Sequence, residues 1–108
     1  MTVDDLARIE PEARSLLPEF LKSGRERRVR IDALVAERNF KELHRLGHGL
    51  KGSGGIYELP AFQEVGRRME EAAEEQNAEL ISTLNRQLEA LLDELEAVLA
   101  QAQAGGAP

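Results

Sequence analysis

The chain has 108 residues, 42% of them hydrophobic and 31% charged, with few aromatics and no cysteine, which is the length of one domain with enough apolar material for one core. The lack of Cys removes a disulfide framework and a thiolate metal site, and no apolar run reaches the roughly 18 residues that a membrane-crossing helix needs. A formal charge of −6 argues against a nucleic acid partner, because neutralising a phosphate backbone takes clustered Lys and Arg.

The amino terminus, MTVDDLARIEPEAR, has neither the basic start nor the apolar centre of a secretory signal, so a cytoplasmic setting is the expectation. Apolar residues recur at helical spacing nearly everywhere and no segment alternates like a strand, which predicts an all-α domain. A short leading helix is expected over residues 12 to 17, with Pro11 at its first position and Leu16 and Leu17 on its buried side. Pro18 then opens a helix of roughly residues 18 to 37, with Phe20, Leu21, Ile31, Leu34 and Val35 on one face. Gly24, Arg27 and Arg28 fall where that stripe ought to continue, so its middle is weak. The basic run Arg25, Arg27, Arg28 and Arg30 reads as a solvated helix face or as a contact surface for an acidic partner.

Asn39 is placed to cap a helix that starts at Phe40, since its side chain can accept from an unpaired first-turn amide. Pro60 opens another over about 60 to 75, facing the core with Phe62, Val65, Met69 and Ala72 or Ala73. Asn77 can cap the last helix, in which Ile81, Leu84, Leu88, Leu91, Leu95 and Val98 alternate spacings of three and four. That stripe reads as bundle core rather than a dimer seam, so a monomer is expected. Four main helices with connections of two to five residues lead to an antiparallel up-down-up-down four-helix bundle with a short extra N-terminal helix. Residues 1–103 form the single domain, and the AGGAP tail, 104–108, has nothing to bury and is expected to be disordered.

The segment HRLGHGLKGSGGIYEL, residues 44 to 59, holds both histidines and five glycines within nine residues, Gly47, Gly49, Gly52, Gly54 and Gly55. Turned at roughly 100° per residue, Phe40, Leu43, Leu46, Leu50 and Tyr57 fall on one stripe, completed by Ser53 and Gly54, so residues 40 to 57 read as a helix rather than a loop. The same wheel sets His48 on the outer side with His44, Arg45, Lys51, Gly52 and Gly55. The imidazole is therefore expected to be exposed, with Gly52 and Gly55 leaving the surface beyond it nearly bare. Gly47 and Gly54 lie towards the packed side, where they allow a neighbouring helix to approach. Five helical glycines cost about 4 to 5 kcal/mol relative to Ala, so a close approach to this backbone is expected to compensate.

HGLKGSGG, preceded by NFKELHRLG and followed by YELPAFQEVGRRMEEAA, resembles the histidine-containing phosphotransfer (HPt) domain of bacterial multistep phosphorelays. The likeness rests on His48, an apolar Leu50, then Lys51, Gly52 and small residues, with the Leu-Pro-x-Phe-Leu entry at residues 17 to 21 and Gly66 and Glu70 in the next helix. It covers about residues 15 to 100. It implies a four-helix bundle in which His48 takes a phosphoryl group from a receiver-domain aspartyl phosphate, most readily on Nε2, and passes it reversibly to another receiver aspartate. Lys51 would supply positive charge to the phosphoryl oxygens, and Gly52 and Gly55, with His44 and Arg45, would meet the partner's loops. The implied partners are response-regulator receiver domains and a hybrid sensor kinase. The partner would bring the carboxylate and Mg²⁺, so the chain needs no cofactor and acts as a carrier more than a catalyst.

Two departures stand out. Glu58 follows Tyr57 where the family often has Gly, and the basic run interrupts the apolar spacing of the helix from Pro18. Two rival readings remain: a bundle that binds a receiver or a kinase without carrying phosphate, and a metal-assisted activity at the HxxxH pair of His44 and His48, completed by Glu42 or Glu58. A nucleotide loop is disfavoured because no strand precedes the glycines. The initial Met and the tail favour a free-standing protein.

Overall fold

The computed structural model describes residues 1–106, and for 104–106 the backbone alone. Among the described residues every regular element is a helix, and together they make a helical bundle: α1 (Val3–Ala7), α2 (Pro11–Arg14), α3 (Leu17–Ala36), α4 (Phe40–Ile56), α5 (Pro60–Glu74) and α6 (Ala78–Gly106). The tail expected to be disordered thus begins inside α6, and residues 107 and 108 lie outside the described residues.

The three connections between the long helices share one geometry. Each is three residues long, and the middle one, Arg38, Glu58 or Gln76, sits in the left-handed region at φ 53, 55 and 55°. In each, the residue after it donates its N–H five residues back: Asn39 to Leu34 O (3.0 Å), Leu59 to Gly54 O (2.8 Å) and Asn77 to Ala72 O (2.9 Å). These are Schellman endings, which satisfy carbonyls that the last turn leaves free. The same third residue then starts the next helix. Asn39 accepts from Glu42 N and Asn77 from Leu80 N, as the caps read from the sequence require, while Pro60 opens α5 with no cap bond from Leu59.

The core is filled from α3 to α6 by residues such as Phe20, Ile31, Leu43, Leu50, Phe62, Met69, Leu84, Leu88 and Leu95. Phe20 stands edge-on to Phe62 at 5.1 Å and tilted to Tyr57 at 5.2 Å, joining the start of α3 to the end of α4 and the start of α5. The weak middle of α3 is a fitted joint. A Cβ on Gly24 would lie 2.5 Å from Leu92 Cδ2, so this glycine admits the α6 side chain. Leu92 is fully buried there, whereas Leu91, expected on the stripe, is only partly buried. Next to it the buried Asn85 donates from Nδ2 to Arg28 O (3.0 Å) and Asp32 Oδ1 (2.8 Å).

The basic run finds its acids within the chain. Arg25 pairs with Asp93 (2.8 Å) and Glu96 (2.7 Å) of α6, Arg28 with Glu89 (3.5 Å) and Asp32 (3.2 Å), and Arg30 with Glu42 (3.7 Å). Among the described residues Arg27 makes no such pair.

Two features of the amino-terminal region differ from the sequence expectation. The leading helix covers 11–14 rather than 12–17, and Leu16 is 51% exposed, because it precedes the first turn of α3 and only Leu17 turns inward. A further helix, α1, comes before it, closed by a capping box between Thr2 and Asp5. Its Leu6, with Ile9 beyond it, is buried. With 29 residues, α6 is about 43 Å long and outruns its neighbours, and α1 folds over the overhang near Leu99 and Ala102.

Candidate functional site

α4 and α5 lie backbone to backbone. A Cβ on Gly47 would come 2.8 Å from Glu70 N, one on Gly54 2.5 Å from Gln63 N, and one on Gly66 2.4 Å from Lys51 N. No glycine here has positive φ, so these three serve close approach and not backbone conformation. The close approach carries Glu70 of α5 to the side chains of α4.

His48 is exposed, with 68% of its side chain open, and its Nδ1 lies 2.6 Å from Glu70 Oε2. Lys51 Nζ donates to the other oxygen of that carboxylate at 2.8 Å. Glu70, only 14% exposed, is thus a bridge with one oxygen on His48 and the other on Lys51 of the α4 surface. The Lys51 hydrogen bond, followed by that of His48, holds its carboxyl below the usual glutamate range. An ionised carboxylate only accepts, so the ring nitrogen facing it carries the proton. Nε2 of His48 keeps its lone pair on the open side.

The surroundings differ from residue to residue. A Cβ on Gly52 would meet nothing within 4 Å, which leaves bare backbone one turn beyond the imidazole. One on Gly55 would lie 3.1 Å from the Gln63 side-chain amide, so that part of the surface is bounded by α5. One turn before His48, His44 Nε2 lies 2.9 Å from Glu74 Oε1, and Arg45 binds Glu42 through Nε at 2.8 Å and through Nη2. Each histidine faces its own carboxylate, and among the described residues no cluster of three metal-ligating side chains forms. The residues expected at the rim, His44, Arg45, Lys51, Gly52 and Gly55, lie on α4 within about two turns of His48, and His44, Arg45 and Lys51 each face a carboxylate.

A family model described as the Hpt domain matches residues 15–103. The chain belongs to the Hpt domain family. No curated protein and no solved structure matches it. The Hpt match takes in α3, α4, α5 and α6 as far as residue 103, with every residue of the site, and α1 and α2 precede it. Within this Hpt domain, the bridging role of Glu70 was not read from the sequence. Its place in the α5 segment is legible in the sequence, but pairing it with His48 and Lys51 requires knowing that α5 crosses α4 at the glycines. The contact of Arg27 with the α4 surface likewise depends on where α3 lies against α4.

Proposed function

We propose that His48 is the phosphoacceptor of this Hpt domain, taking a phosphoryl group from the aspartyl phosphate of a receiver domain and returning it to a receiver aspartate in a multistep phosphorelay. The observation that carries this reading is the exposed imidazole whose Nδ1–H is held by Glu70 while Nε2 stays open. The Nε2 lone pair attacks phosphorus, the bond from phosphorus to the aspartyl oxygen breaks, and the carboxylate leaves with the electron pair. No proton has to move. The Nδ1 proton stays on the ring, and the Glu70 carboxylate offsets the positive charge that the ring gains on phosphorylation.

Transfer of this kind depends on positioning and charge neutralisation. Glu70 orients the ring, Lys51 keeps Glu70 ionised and holds spare donors beside the phosphoryl oxygens, and bare Gly52 gives the partner's loops access. The receiver is expected to bring its own aspartate and Mg²⁺, which makes the chain a carrier rather than a self-sufficient catalyst. A hybrid sensor kinase is the expected source of phosphate. The contacts of Phe20 with Tyr57 and Phe62, and the matched three-residue connections, support an up-down-up-down course for the four long helices. No described helix is long and apolar enough to cross a membrane, and a monomer in the cytoplasm is the expected setting for this carrier.

The test is transfer from a labelled, phosphorylated receiver domain in Mg²⁺. Acid-labile, alkali-stable label is expected on the wild type and on His44→Ala, and none on His48→Ala. Label that survives loss of His48 and vanishes with His44 would move the site by one turn. Tight receiver binding with no label on any form would leave the non-phosphorylated interaction module as the function.

A further inference from the structure

The Arg27 guanidinium is half-buried between α3 and α4, and it is the member of the basic run that forms no ion pair among the described residues. Its Nη2 lies 3.6 Å from where a Cβ of Gly49 would stand, an ordinary contact distance that any longer side chain would take up. Gly49 directly follows His48, about 100° further round the helix, on the side opposite Glu70 and Lys51. His48 is thus flanked by α5 on one side and by Arg27 of α3 on the other.

The cations near His48 are otherwise matched. Lys51 is bound by Glu70, Arg45 by Glu42, and His44 faces Glu74. Among the described residues Lys41 has no ion pair either, but it stands seven residues, or about 10 Å, before His48. Burial, and then the neighbouring charge of Arg45, hold the Arg27 guanidinium below its ordinary range. Both effects disfavour a lone cation at this place, and an anion arriving beside it would relieve both. A phosphoryl group on His48 brings up to two negative charges to a surface where the nearest ammonium, that of Lys51, is already shared with a carboxylate.

We propose that Arg27, laid across the side-chain-free surface of Gly49, is a second phosphoryl-binding cation that contacts the phosphoryl group held on His48 from the α3 side. The inference rests on His48 as acceptor, and it assigns a function both to Gly49 and to the arginine that interrupts the α3 stripe. The guanidinium offers two parallel N–H donors to phosphoryl oxygens, a geometry that an ammonium does not reproduce.

The test uses phosphoramidate, a small donor that needs no protein partner, so that it is separate from the receiver assay. Phosphorylation of His48 followed by ³¹P NMR is expected to be about tenfold slower in Arg27→Gln, the loss of one charge-assisted hydrogen bond. The phosphoryl titration should move to higher pH in that variant, with Arg27→Lys between it and the wild type. On the full-length wild type the Arg27 Nε–H resonance should shift when His48 is phosphorylated, a readout independent of how well the variants fold. Wild-type labelling with unchanged rate and titration in Arg27→Gln, or a still Arg27 resonance, would overturn the proposal. So would a variant whose only defect is weaker receiver binding, because the guanidinium would then serve a partner carboxylate. Failure of the receiver assay on the wild type, with phosphoramidate labelling intact, would count against the relay reading alone.

Discussion

At the scale of single residues, Glu70 links the site to the stability of the fold. Its carboxylate joins α5 to two side chains of α4 through Lys51 Nζ and His48 Nδ1, and it is largely screened from water. Because these partners lower its folded-state pKa, its contribution is present above the unfolded glutamate value, near 4.3, and is lost as pH falls through the lower folded value. Glu70→Gln keeps the shape and an acceptor for Nδ1–H but removes the charge. It should be less stable by about 1 kcal/mol at pH 7, with the gap to wild type closing below about pH 4. Urea denaturation of both proteins across pH 3 to 8 measures this, and a gap that persists undiminished in acid would show that the charge is not its source. His48, Lys51 and bare Gly52 were legible in the sequence because one helical wheel orders them. Glu70 and Arg27 come from other helices, and no periodicity within α4 places them.

At the scale of elements, helix ends were more legible than the joints between them. Asn39, Pro60 and Asn77 are local signals with a local physical cause, and the starts of α4, α5 and α6 fall at or next to them. The endings use Arg38, Glu58 and Gln76 in the left-handed region, where no sequence pattern announces a stop. Glu58 stands where the family often has glycine, yet it adopts the conformation that glycine would and α4 closes normally. An L-residue pays about 1 kcal/mol or more for this region. Glu58 is exposed and holds no ion pair among the described residues, so Glu58→Gly should relieve that cost. A stability gain of about 0.5 to 1 kcal/mol is expected, read as a higher denaturation midpoint at unchanged slope. A loss of stability instead would mean that the Glu58 side chain makes a contact worth more than the strain.

At the scale of the whole molecule, the amino-terminal region is where structure went beyond sequence expectation. α1 is five residues long, too short for helical periodicity to register, although T-x-x-D at residues 2 to 5 is a cap signal in its own right. It is held by docking. Leu6 and Ile9 are buried against the overhanging part of α6 and the α4–α5 connection, where Leu59, Phe62 and Leu91 lie nearby, and the amino-terminal ammonium pairs with Glu94. The clefts beside α1 are lined by none of His48, Lys51, Glu70 and Arg27, and α1 lies outside the Hpt match. Stability and phosphoryl transfer should therefore separate. Replacing both Leu6 and Ile9 with Ala is expected to cost about 2 kcal/mol per site and to lower the melting temperature substantially. Labelling of His48 measured well below that temperature should stay at the wild-type rate. A variant that melts lower and labels normally would make α1 a clasp on the end of the bundle. If labelling fell in step with docking of α1 while α3 to α6 stayed folded, the two ends of the bundle would be coupled, and the rigid α4–α5 glycine contact would be the route to examine.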